Sequence, residues 1–224
     1  MRARLPRIRL TVVVGLLVLG QASLAVAPAA AAPPFRAHAK PLDAQLRQRM
    51  TGVSWHPGCP VGLDRLRLLA VRYWGFDGAV HTGRLVVHRD AVRAMSGAMR
   101  ALYRQRFKIR RMQLVDAYGA DDHRSMEADN TSAFNCRFVS GTSRWSQHAY
   151  GRAIDINPVE NPYADSDGYV SPPQGAPFRD RRQRHKGLIH AGGDVVAAFA
   201  RVGWGWGGNW SWPKDYQHFS ATGT

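Results

Sequence analysis

Two short segments carry side chains that can hold a metal. The first reads Ser146-Gln147-His148-Ala149-Tyr150-Gly151-Arg152-Ala153-Ile154-Asp155, and the second Lys214-Asp215-Tyr216-Gln217-His218-Phe219. Zinc binds imidazole nitrogen and carboxylate oxygen, and a catalytic zinc keeps three protein ligands and one open position. His148, Asp155 and His218 make that count. Asp215 is left over as a base for water at the open position. Taken singly, His-x6-Asp is a common spacing and Asp-x-x-His an ordinary surface pair. Together the two segments complete a site. The other histidines read as solvated: His38, His56, His123, His185 and His190 in polar stretches, His81 and His88 on a strand.

The elements that must position these residues are visible in part. Leu68 to Trp74 and Val80 to His88 are strand-like and flank Asp77-Gly78, a strong turn signal, so they form a hairpin. Asp90 is placed to cap a helix whose apolar residues Val92, Met95, Met99 and Leu102 recur at three- and four-residue spacing. Ile109 to Val115 reads as a further strand, and Asp116 to Asn135 as too irregular for a regular element. Gly151 permits a turn after His148 that an L-residue resists. Ala153 to Asn157 is then a short strand with one apolar and one polar face. Pro158 to Arg184 reads as a long surface loop. Asp194 caps a second helix carrying Val195, Val196, Phe199 and Val202. Trp204, Trp206, Trp210 and Trp212 shape a cleft wall or pack in the core, at least two of them the latter. The order of elements gives an α+β fold, a small single domain with a mainly antiparallel sheet and flanking helices.

Residues 1–32 have the charged, apolar and small-residue order of a signal peptide, and an uncleaved anchor is the alternative. The apolar run from Leu10 to Leu19 is short for a membrane span of about 20 residues. Export to a secreted or wall-associated location follows, with no transmembrane segment once the signal is cleaved. Residues 33–52 read as an N-terminal arm or linker, and 53–224 as one folded domain. The formal charge is +15, and only Lys40, Lys108, Lys186 and Lys214 of the 31 basic residues are lysine. Such a chain is drawn to anionic polymers of a bacterial wall. Nucleic acid is not an expected partner, because no basic recognition helix is present. Cys59 and Cys136 are the two cysteines. In an oxidising compartment they suggest one disulfide, with two buried thiols as the alternative.

Ser146 to Pro158, with Ser-x-His-x-x-Gly-x-Ala-x-Asp at its heart, resembles the signature of the M15 family of zinc metallopeptidases. Gly203-Trp204-Gly205-Trp206-Gly207-Gly208 and Asp215-Tyr216-Gln217-His218-Phe219 resemble its closing motif. Asn130 to Arg137 resembles the segment before the first motif in the endopeptidase-like branch, and the likeness runs from about Val53 to Phe219. The family includes D-alanyl-D-alanine carboxypeptidases of the VanY type and L-alanyl-D-glutamate endopeptidases. The resemblance implies a small fold shared with lysostaphin-type peptidases and the Hedgehog signalling domain. It implies zinc on His148, Asp155 and His218, Asp215 as general base, and peptidoglycan stem peptides as substrate; a monomer is expected. The carboxypeptidase and dipeptidase branches carry Glu where this chain has Asp215, so the endopeptidase is the first expectation. A D-alanyl-D-alanine carboxypeptidase is the alternative, and a non-catalytic zinc-stabilised wall-binding module the alternative of another class. Arg137 either meets a substrate carboxylate or oxyanion or forms an ion pair with an acid in 116–129. Ser146 and Asn157 are candidates for hydrogen bonds that hold the ligands.

Overall fold

The computed structural model describes residues 32–224, so the expected signal peptide lies outside the described residues. In chain order the elements are β1 (Ala37–Pro41), α1 (Ala44–Met50), β2 (Leu66–Gly75), β3 (Val80–His88), α2 (Val92–Arg104), β4 (Lys108–Ile109) and β5 (Arg111–Met112). There follow α3 (Asp122–Glu127), β6 (Asn130–Thr131), β7 (Ala153–Asp155), β8 (Tyr163–Ala164), β9 (Val170–Ser171), α4 (Asp194–Ala200), β10 (Gly205–Trp206), β11 (Lys214–Asp215) and β12 (His218–Ser220). This is the expected α+β fold. Strand pairing is antiparallel except for β2 with β4 and β5 with β6.

The hairpin of β2 and β3 is the frame. Its apolar residues Leu69, Val71, Leu85 and Val87 are buried against Met95, Ala98, Met99 and Leu102 of α2. That helical face also receives Val195, Ala198 and Phe199 of α4. Phe199 stacks on Phe219 of β12 with ring centroids 4.1 Å apart, so the same core reaches the strand that carries His218. No helix among the described residues is long and apolar enough to cross a membrane.

Several expectations are corrected. Residues 33–52, read as an arm or linker, carry β1 and α1, and β1 pairs antiparallel with β2, from Ala37 opposite Val71 to Pro41 opposite Arg67. Met50 of α1 is fully buried in a second cluster with Leu42, Leu66 and Phe134. Asp90 does not cap α2; a tight turn over Arg89–Ala91 leads into it, and the His88 ring accepts from Asp90 N instead. Asp194 is the first residue of α4, behind an uncapping Gly193. The strand expected over 109–115 is split into β4 and β5, and the irregular stretch 116–135 holds α3 and β6. Both faces of β7 are buried, and its one polar side chain, Asp155, is buried with them. His88 is buried rather than solvated.

The long segment from Pro158 is anchored, not loose. Buried Asn161 accepts from Ile189 N at 2.7 Å and from Arg181 Nη2 at 2.8 Å. Arg181 also donates to the carbonyls of Glu160 and Phe178 and lies over the Tyr216 ring. Fixing one guanidinium with backbone acceptors orders a stretch that has little apolar surface of its own.

Buried Glu160 faces Asp129 and accepts from Arg110 Nη2 at 3.2 Å. Burial, then the Asp129 carboxylate, push its carboxyl up to about 8 against the pull of Arg110. A folded-state value above the unfolded one means the folded protein holds the extra proton. That contribution to stability is complete below the ordinary carboxylate range and is lost as pH rises through about 8. Denaturant titrations at a series of pH values are expected to show the decline, and Glu160→Gln to flatten it. An unchanged slope in the variant would assign the decline to another group.

Cys59 and Cys136 form a disulfide that closes 77 residues of chain. A loop of that length is expected to contribute about 4 kcal/mol through the unfolded state. Replacing both cysteines with serine is expected to lower the thermal midpoint by about 10 °C. A midpoint within a degree or two of native would show that the bridge constrains little.

Candidate metal centre and cleft

His148 sits in a tight turn over Gln147–Tyr150 whose first amides are capped by the Ser146 hydroxyl, which accepts from His148 N at 3.3 Å. Gly151 ends the turn in the left-handed region, at φ 64°. Its carbonyl accepts from His88 N at 2.8 Å, and a Cβ there would stand 2.6 Å from that same nitrogen. Glycine is therefore required twice, by conformation and by contact. The chain then returns as β7.

β12 pairs antiparallel with β7, and His218 lies directly opposite Asp155. On the other edge of β7, Asp155 exchanges two backbone hydrogen bonds with Ser132, at 2.9 and 3.1 Å. This pairing carries the Ala133 carbonyl to Nδ1 of His148. A ring nitrogen fixed on a carbonyl leaves Nε2 with its lone pair toward the site.

Nε2 of His148, Nδ1 of His218 and the two oxygens of Asp155 converge in the interior. Asp155 lies 3.1 Å from His148 Nε2 and 3.0 Å from His218 Nδ1, and the two nitrogens are 3.2 Å apart. All three side chains are buried, and their ligand atoms lie within 4.8 Å of one another. Burial pushes the Asp155 carboxyl up, but the adjacent His148 and His218 imidazoles outweigh it and hold it far below the ordinary range. Burial likewise disfavours the charged form of His218, yet the bond to Asp155 and its charge raise that imidazole overall. Once the proton shared between His218 and Asp155 is displaced, two imidazole nitrogens and a carboxylate form a donor set that a small divalent cation satisfies. The residues present thus fit a zinc site.

Asp215 lies outside this set. It is half-buried on β11, which pairs with β8 so that Asp215 faces Tyr163 across the strands. Its Oδ1 is enclosed and has no hydrogen-bond partner. Burial, then the Asp155 charge, push its carboxyl up to about 6, while His218, His148 and Arg137 pull the other way. Gly207 backs it: a Cβ on Gly207 would meet the Asp215 carbonyl at 2.6 Å.

A cleft of about 760 Å³ opens over these residues. That is the size of a pocket that encloses a drug-sized ligand or short peptide. His148, Asp155, Asp215 and His218 all line it. Arg137 lines it as well and also pairs with Asp122, Nη2 to Oδ2 at 2.7 Å. Both readings of Arg137 therefore meet in one side chain: it is held by an acid of 116–129 and still faces the cleft.

Residues 140–221 match the family model described as D-alanyl-D-alanine carboxypeptidase. The match supports a peptidase of the M15 family. It spans all four residues just described, whereas Arg137 falls before it. No curated protein and no solved structure matches.

Other expectations divide. Ser146 supports the ligand turn as expected, whereas Asn157 touches no ligand. Its side chain receives Arg110 N at 3.0 Å and donates to the carbonyls of Lys108 and Gly187. Trp204 and Trp206 are core residues, Trp210 lines the cleft 5.7 Å from the His218 ring, and Trp212 is exposed. Sequence reasoning missed the Ala133 carbonyl, which has no side-chain signal. It also missed the cleft residues Trp145, Tyr163, Arg144 and Arg152. The alternation of aromatic and basic residues in Arg144-Trp145 and Tyr150-Gly151-Arg152 was the available signal for some of them.

Proposed function

We propose that this chain is an exported zinc metallopeptidase that hydrolyses peptide bonds in peptidoglycan stem peptides, as an endopeptidase of the L-Ala-D-Glu type. The observation that carries the reading is Asp215 beside the His148–Asp155–His218 set in one cleft, all within the stretch that matches the peptidase family. His148, Asp155 and His218 would hold the zinc, which supplies Lewis acidity toward water and the scissile carbonyl. Asp215 accepts a proton from the attacking water and returns it to the leaving amine. Oδ1 has no hydrogen-bond partner, so no neighbouring donor lowers the basicity of this carboxylate. Arg137, held by Asp122, presents a fixed guanidinium to a substrate carboxylate or a developing oxyanion. A bystander zinc-stabilised module would gain nothing from a carboxylate placed in this way.

A second reading, removal of a terminal D-alanine, is favoured by the printed description of the matched family. Asp215 in place of the Glu of that branch favours the endopeptidase. Mass spectrometry of products from defined muropeptides, with and without chelator, separates the two. Release of free D-alanine alone would replace the endopeptidase with a carboxypeptidase. Products unaffected by chelator would end the zinc reading altogether.

A further inference from the structure

The cleft is lined by three arginines, Arg137, Arg144 and Arg152, and among the described residues by no acid other than Asp155 and Asp215. Arg137 pairs with Asp122 at 2.7 Å and Arg152 with Asp90 at 3.6 Å, whereas Arg144 makes no ion pair among the described residues. Arg144 belongs to a short hairpin that runs straight into the His148 turn. Ser146 N donates to the Arg137 carbonyl at 3.1 Å and Val139 N to that of Arg144 at 2.8 Å, and between these bonds Phe138 bridges antiparallel to Trp145. The Phe138 and Trp145 rings stack with centroids 4.0 Å apart and brace the two arms. Side chains alternate along such arms, so Arg137, Val139, Arg144 and Ser146 share one face. All four line the cleft. Arg137 and Arg144 are diagonal neighbours on that face, about 7–8 Å apart at their backbones. Arg137 is the inner of the two, opposite Ser146 and near enough to draw the Asp215 carboxyl down. Its Nε is enclosed and has no hydrogen-bond partner. Arg144 is the outer one, toward the hairpin tip, and is exposed.

We propose that Arg144 is a specificity-determining residue that recognises a carboxylate on the substrate, one position outward from the group met by Arg137. This rests on the peptidase reading of the cleft. Side chains two residues apart on an extended peptide lie about 7 Å from each other, the same step that separates the two arginines. A guanidinium with no acid of its own keeps its donors for a ligand, and its planar fork fits a carboxylate through paired bonds. The backbone beneath it is fixed, since Arg144 N donates to the Thr142 hydroxyl at 3.2 Å and its carbonyl is held by Val139. A site whose main chain is set before the ligand arrives binds at a lower ordering cost. A divalent ion on the three ligands would cancel the charges of Asp155 and Asp215, leaving the arginines to set the sign of the field in the cleft. That field favours an anionic peptide over its neutral analogue.

The test gives the zinc-loaded protein two soluble stem peptides that differ only in whether the glutamate's free carboxyl is kept or converted to an amide. Native protein is expected to prefer the acid. Arg144→Gln is expected to lower the acid-to-amide ratio of kcat/KM about fivefold, the upper range for an ion pair open to solvent. The loss is expected in KM. Arg144→Lys, which keeps the charge, is expected to retain most of the preference, and Arg144→Glu to reverse it. All three substitutions leave the main-chain bonds of the hairpin in place. A native protein indifferent to the two peptides would overturn the proposal, as would an unchanged ratio in Arg144→Gln. If neither peptide is cut, equilibrium binding of the pair decides. A preference for the acid that Arg144→Gln removes would then uphold the role of Arg144 and end the peptidase reading, whereas equal binding of both peptides would end the two together.

Discussion

Asp215→Ala is expected to lower kcat/KM on stem peptides by about 10²–10⁴-fold, the usual contribution of a positioned general base. The zinc content of the purified variant is expected to match native. The two outcomes separate because Asp215 is carried on β11, while Asp155 and His218 lie on β7 and β12, a different sheet. Loss of metal along with activity would make Asp215 a ligand or a structural prop. Near-native activity would remove it from the mechanism. The pH profile adds a second check. The proposed base works only when deprotonated, and burial and the Asp155 charge push its carboxyl up to about 6, so the acid limb of activity is expected no higher than that region. A cation on the three neighbouring ligands lowers the value further, which moves the acid limb down and not up. A limb above pH 7 would belong to another group.

His148→Ala and His218→Ala are expected to lose both metal and activity. Removing a group that merely supports a ligand costs about 10–100-fold in affinity or rate, and removing a ligand costs more. Each variant leaves the Asp155 carboxylate buried with one imidazole instead of two. A buried charge that has lost a partner also destabilises the protein, so lowered thermal midpoints are expected in both. Metal analysis and a chelator-treated native control distinguish the causes. If the variants bind zinc as native does, or if chelator leaves native activity intact, the site lies elsewhere.

The chemistry was more legible in the sequence than the scaffold. His148, Asp155, Asp215 and His218 could be singled out because metal binding and base catalysis demand particular side chains, wherever they sit in the fold. The β2–β3 hairpin was legible because Asp77-Gly78 interrupts two long strand-like runs. Strands of two residues, such as β8 and β11, have no period to detect, and they are what carry Asp215 and Tyr163. The edge strand β1 was hidden by polar residues and prolines, although Ala37 and Ala39 pack against the core. Buried Glu160 and Asn161 looked like loop residues because their satisfaction comes from Arg110, Arg181 and backbone far along the chain. Arg137 could not be assigned from spacing, since its partner Asp122 and the cleft lie on either side of one guanidinium.

Asp155 and His218 face each other across β7 and β12, which fixes more than their separation. Slipping that pairing by one residue would turn one of the two side chains away from the other. An ion held by His148, Asp155 and His218 would tie together two strands of three residues each, adding to the backbone bonds that already set their register. Removing it should register first as faster amide hydrogen exchange along Ala153–Asp155 and His218–Ser220, while the β2–β3 hairpin stays protected.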